Sequence, residues 1–167
     1  MALPDLSLTE WVVLALVAEA PTHGFAISKE LQADSDLGRI LTVHRPLVYR
    51  ALDRLGQAGL VEAVATEPGS GGPNRKVVKA TRSAKVALKQ WFERPVDHVR
   101  DLRIEFLIKL RLTERVGNDA TVLVDAQRRE LATTLQSLAD GGDDQDVVDR
   151  WRQHNAAAAR NFLNALG

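Results

Sequence analysis

Residues 44–62 read HRPLVYRALDRLGQAGLVE, and the fold turns on how this stretch is read. Pro46 suits the first turn of a helix, where its missing N–H has no partner to lose. At about 100° per residue, Val48, Ala51, Leu52 and Leu55 fall on one face. Pro46, Arg50, Asp53 and Gln57 lie opposite, flanked by Tyr49 and Arg54. Gly59 fits the left-handed position just past a helix end, and an apolar run follows at once. The spacing predicts an amphipathic helix whose basic and aromatic outside is not needed by the core.

Working outward, Ser7 and Glu10 form a capping box at the head of a first helix, with Leu6 and Trp11 at the staple positions. That helix runs through VVLALVAEA and stops at Pro21. A second helix, GFAISKELQ, is expected to be capped by Thr22. Its inner face is read as Phe25, Ile27, Leu31 and Ala33, with Lys29 and Glu30 outside. Ala33 to Val43 reads as a loop or short turn. Beyond the quoted helix, LVEAVATE and RKVVKAT are β-prone and joined by PGSGGPN, a hairpin whose tip carries Asn74, Arg75 and Lys76. Thr81 caps a further helix, SAKVALKQWFE, which Arg94-Pro95 ends. Three helices followed by a two-stranded hairpin is the order of a winged helix-turn-helix. The quoted helix is then the recognition helix, with its N-terminal half toward base edges.

Charge agrees with that placement only locally. The 167 residues carry 22 Lys+Arg and 22 Asp+Glu, so no excess is visible in the total. Between Arg39 and Arg82, however, eight basic residues face three acidic ones, the sign a phosphate-facing surface needs. There is no cysteine, which excludes disulfides and thiolate metal sites. His23, His44, His98 and His154 are scattered without metal-ligand spacing. No GxSxG, phosphate-cradling glycine loop or acid pair beside a histidine occurs, so neither an enzyme nor a cofactor is expected. The apolar run Trp11–Ala18 is too short for a membrane anchor and lacks a signal peptide's basic start, so a cytoplasmic protein is expected.

The second half reads differently. VRDLRIEFLIKLRL is apolar on more than one side, which predicts burial by several neighbours. Val124, Leu131 and Leu138 recur at seven-residue spacing with Leu135 beside them, ADGGDDQD makes a polar turn, and Val148, Trp151, Asn155, Ala158, Phe162 and Leu166 recur at threes and fours. Two such helices make an antiparallel hairpin whose stripes need a partner, most simply a second copy in a C₂ dimer. Leu131, Leu135, Leu138, Trp151 and Phe162 are the expected dimerisation residues.

Four stretches in order resemble the PadR family of transcriptional regulators, in its longer form with a helical C-terminal region. They are THGFAI (22–27), YRALDRL (49–55), GLVE (59–62) and RDLRIEFLIKL (100–110). The resemblance implies a homodimeric repressor gripping a pseudo-palindromic operator, released by a phenolic or other small hydrophobic effector. Val77 and Val78 stand where such wings usually carry tyrosines.

The expected architecture is mainly α: a winged helix-turn-helix DNA-binding domain over 1–93, then an α-helical dimerisation and sensing domain over 98–167. Arg45, Pro46, Tyr49 and Arg50 are expected at bases and phosphates of double-stranded DNA. The plain alternative is a solvated helix face with Tyr49 half-packed under the wing. Arg54 is read either as a phosphate contact or as half of an internal ion pair. Asn74, Arg75 and Lys76 are expected to lie along the sugar–phosphate backbone, and Lys29 near a phosphate. Trp91 and Trp151 either sandwich a flat effector or simply fill a core. The rival function is a winged-helix adaptor that binds protein, for which a recognition face without basic residues is the mark.

Overall fold

A computed structural model of the protein describes residues 3–68, 74–139 and 146–166. The chain divides into two compact units, Met1–Trp91 and Phe92–Gly167.

In the first unit, α1 (Leu8–Glu19) opens with the capping box read from the sequence. Ser7 N–H donates to Glu10 Oε2 at 2.7 Å, and Glu10 N–H donates to Ser7 Oγ at 3.4 Å. Every residue from Glu10 to Val17 is buried, so α1 is apolar nearly all round because it is enclosed nearly all round. Trp11 stacks on Trp91 with ring centroids 5.4 Å apart and planes 2° from parallel.

The second helix, α2 (Gly24–Glu30), corrects the expected cap. Thr22 is in strand pairing with Val78, donating at 3.0 Å and accepting at 2.8 Å. Its extended backbone therefore leaves the cap to His23, whose Nδ1 accepts the Ala26 N–H at 3.1 Å. The helix is also shorter than GFAISKELQ, so Ala33 lies beyond its end and is exposed. Gly24, Ile27, Ser28 and the closing Leu31 face inward, at spacings of three and four. Phe25 sits on the flank of that face and is only half-buried. Turns follow, anchored by buried Leu37 and Val43.

The quoted stretch forms α3 (Arg45–Gln57), with Val48, Ala51 and Leu55 buried and Leu52 half-buried. Gly59 adopts φ +67°, the left-handed turn expected of it, and leads into the hairpin. β1 (Val61–Glu67) pairs antiparallel with β2 (Arg75–Ala80), from Val61 opposite Ala80 to Glu67 opposite Arg75, with an irregularity between Ala63 and Ala65. The wing tip, residues 69–73, lies outside the described residues. Thr81 Oγ1 accepts the Ala84 N–H at 3.4 Å at the head of α4 (Arg82–Glu93), which ends before Pro95. The fold of this unit is a winged helix-turn-helix.

The second unit holds a 3₁₀ turn (Val99–Arg103), α5 (Glu105–Arg115), α6 (Thr121–Ala139) and α7 (Val147–Asn164). Its core gathers Leu102, Phe106, Leu110, Val124, Leu131, Leu135, Ala156 and Leu163. α6 packs against α7, and the expected polar turn between them at 140–145 lies outside the described residues. Ala156 and Leu163 are the buried positions of α7, so Val148, Trp151 and Leu166 of the expected stripe are left exposed, while Phe162 keeps one contact with the core. The small side chain of Ala156 lets the two helices approach on that side, which bulky Trp151 would prevent. Among the described residues no helix is long and apolar enough to cross a membrane.

Candidate nucleic-acid interface

α3 starts from an extended His44 (φ −69°, ψ 141°) that makes no side-chain bond to the first turn, with Pro46 seated in that turn. No acidic residue stands in the first turn either, so the positive end of the helix is left uncompensated. Arg45, Pro46, Tyr49, Arg50 and Arg54 are all exposed, consistent with the polar side of the helical wheel.

The structure divides these residues between two flanks. On one, α2, α3 and the wing enclose an open groove of about 1010 Å³ lined by Phe25, Arg45, Tyr49, Asp53, Asn74, Arg75 and Lys76 among others. The wing residues reach it because β2 begins at Arg75 and its pairing with β1 carries that end beside α3. On the other flank, Arg50 and Arg54 border a shallow hollow of about 150 Å³ with Ser7, Glu10 and Leu47.

Arg54 takes the internal-pair side of its two readings. Its Nη1 lies 3.0 Å from Glu10 Oε1, and the Glu10 side chain is only 4% exposed. That carboxylate also receives the Ser7 amide and hydroxyl, so it is well satisfied despite its burial. Among the described residues Arg50 has no such partner.

The groove side is organised by aromatic rings. Tyr49 fits because residue 24 is glycine: a Cβ there would lie 2.9 Å from Tyr49 Cε1. The Arg45 guanidinium carbon lies 5.4 Å from the Phe25 centroid and 5.5 Å from that of Tyr49. Lys29 Nζ and the Arg75 guanidinium carbon lie 4.9 and 4.7 Å from Phe25. Phe25 was expected in the core, and its place among these cations is the part of the site that helical periodicity missed. The signal available was the Gly24-Phe25 pair, a glycine admitting a close neighbour beside an aromatic one position off the apolar face.

The other candidate residues are dispersed. Trp91 is buried with one face covered by Trp11, which closes that face to a flat effector. Trp151 is 69% exposed. Phe162 meets Phe106 edge-on, centroids 6.4 Å apart, and keeps part of its ring outside. Leu131 and Leu135 are spent on the core of their own unit, with Leu138 packed at its margin. Their heptad spacing thus serves the packing of α6 within one chain. Among the described residues no three His, Asp or Glu side chains gather as metal ligands.

Residues 13–90 match the model of the transcriptional regulator PadR-like family. No curated protein matches the chain. Two solved structures are similar to it. One is the crystal structure of Bacillus subtilis PadR in complex with operator DNA, 17% identical with a TM-score of 0.49, the match covering 96% of each chain. The other is the crystal structure of a Streptococcus mutans UA159 protein, 17% identical with a TM-score of 0.46, covering 93% of this chain and 96% of that one.

Proposed function

From a chain whose residues 13–90 match the model of the transcriptional regulator PadR-like family, a family of regulators and not of enzymes, we propose a homodimeric, sequence-specific repressor. Residues 1–93 bind operator DNA and residues 98–167 dimerise and sense. The observation that carries this reading is the exposed basic and aromatic N-terminal half of α3 (Arg45, Tyr49, Arg50) beside a groove shared with the basic wing residues Arg75 and Lys76. That is the shape and sign a DNA major groove and its phosphates require. The mark of the adaptor reading, a recognition face without basic residues, is absent: Arg45 and Arg50 stand exposed on α3.

Arg50 and Arg45 read base edges or phosphates, Tyr49 a phosphate or thymine methyl, and Asn74, Arg75, Lys76 and Lys29 the backbone. Two copies present two α3 helices to half-sites about one DNA turn apart. The outer stripe of α7, centred on Trp151, supplies apolar surface for the second copy. A small hydrophobic effector acts by binding one spacing of the recognition helices more tightly than the other.

Fluorescence anisotropy with the DNA upstream of the protein's own reading frame, against scrambled DNA and across a salt series, tests the reading. Selective binding that weakens steeply with salt is expected. Absence of selectivity there, and in a subsequent selection from random DNA, overturns it.

A further inference from the structure

We propose that Phe25 is an anchor around which Lys29, Arg45 and Arg75 hold one backbone phosphate of DNA, tying α2, the recognition helix and the wing to a single point. The proposal rests on the DNA-binding reading above and assigns a site within it.

Three cations from three different elements lie within 5.4 Å of one ring centroid. Each is drawn to the negative face of the ring. The ring is neutral, however, so it orients the three charges without cancelling their repulsion. Among the described residues none of the three has a carboxylate within ion-pair distance. Asp53 lines the same groove but pairs with none of them. An anion seated among them removes the repulsion and satisfies the planar donor forks of two arginines, for which a phosphate oxygen pair is well matched. A DNA phosphate suits the position better than a free anion, because the elements that supply the charges are those that flank a bound duplex. Such a contact is blind to sequence and serves to fix the orientation of the wing and α3 on the duplex.

The test compares Phe25→Leu with Phe25→Tyr, by anisotropy on upstream and scrambled DNA across a salt series. Leucine keeps apolar bulk without a π face, whereas tyrosine keeps the ring. Phe25→Leu is expected to weaken binding about three- to ten-fold on both DNAs alike. Its log–log salt slope should also be shallower by about 0.9, the share of one phosphate. Phe25→Tyr should match the wild type in both respects. If Phe25→Leu binds as the wild type does, or Phe25→Tyr is as weak as Phe25→Leu, the anchor is overturned. Should Phe25→Leu fail to fold, Lys29→Gln and Arg75→Gln replace it. Cations sharing one phosphate give a double variant with a slope loss of about 0.9, and a loss about twice that overturns the proposal. A wild-type protein that binds neither DNA overturns the DNA reading itself, which a defect confined to the variants leaves intact.

Discussion

Gln127 holds both polar edges of the Val96 peptide backbone: its Oε1 accepts the Val96 N–H at 2.8 Å, and its Nε2 donates to the Val96 carbonyl at 2.9 Å. Both residues are buried, so this side chain replaces a strand partner for a segment that has none. Gln127→Ala strands a donor and an acceptor at once, each worth about 1–3 kcal/mol when unpaired. A loss of about 2–4 kcal/mol in urea unfolding of the second unit is expected. A loss indistinguishable from zero means that the segment finds other partners.

Lys109 lies beside the same segment, donating to the Arg94 carbonyl at 2.9 Å and pairing with Glu105 at 2.8 Å while its side chain is 1% exposed. Burial lowers its pKa below the ordinary 10.5, an effect that the Glu105 hydrogen bond opposes without cancelling. The folded protein therefore binds this proton less tightly than the unfolded chain does. Between the folded pKa and 10.5 the unfolded chain carries more of it, so stability rises with pH through that window. Lys109→Met should remove this alkaline rise, read as the difference between the two proteins in thermal unfolding against pH. An identical pH profile for both would show that Lys109 does not titrate differently on folding.

The two arginines on the α1 flank of the recognition helix should separate cleanly. Arg50→Ala removes an exposed side chain with no ion-pair partner among the described residues, so it should lower operator affinity by about ten-fold and leave stability unchanged. Arg54→Ala instead uncovers the buried Glu10 carboxylate. Arg54 is half exposed, so solvent screening holds the expected loss to about 1 kcal/mol. Titrating each variant with DNA and with urea distinguishes them, and an Arg50→Ala protein of normal affinity removes that residue from the interface.

The head of α2 offers a rescue experiment. His23→Ala forfeits the Nδ1 acceptor for the Ala26 amide and should destabilise the first unit by about 1 kcal/mol. His23→Asn restores a short polar acceptor and most of that stability. If alanine and asparagine are equivalent in thermal unfolding, the cap contributes nothing measurable.

How far the chain was legible follows from what decides each element. Local chemistry announced the Ser7–Glu10 box, the turn at Gly59, the wing strands and the inner face of α3, because each depends on neighbours a few residues away. Thr22 misled because its backbone is claimed by Val78, a partner 56 positions along the chain. The stripe on α7 misled for a related reason. Hydrophobicity names the bulkiest positions, but close packing against α6 selected Ala156 and Leu163 for the inside and left Trp151 out. At the interface the residue types were legible, whereas their division into two flanks and the ring that gathers three cations required the fold.

That reversal sharpens the dimer expectation. Val147, Val148, Trp151, Phe162 and Leu166 form an exposed apolar line along α7, the kind of surface that an isolated chain seldom leaves in water. Trp151→Glu places a charge at its centre without touching the core of the unit. Aromatic residues at such positions dominate association, so the dimer constant should weaken by about a hundred-fold while unfolding of each chain is unchanged. Leu131→Ala should do the opposite, costing about 2–5 kcal/mol of fold stability through the cavity it opens and little in association per folded chain. Sedimentation velocity over a concentration series, paired with urea unfolding, separates the two effects. A Trp151→Glu protein as dimeric as the wild type would move the interface off α7. A Leu131→Ala protein that folds normally but dissociates would return it to the heptad of α6.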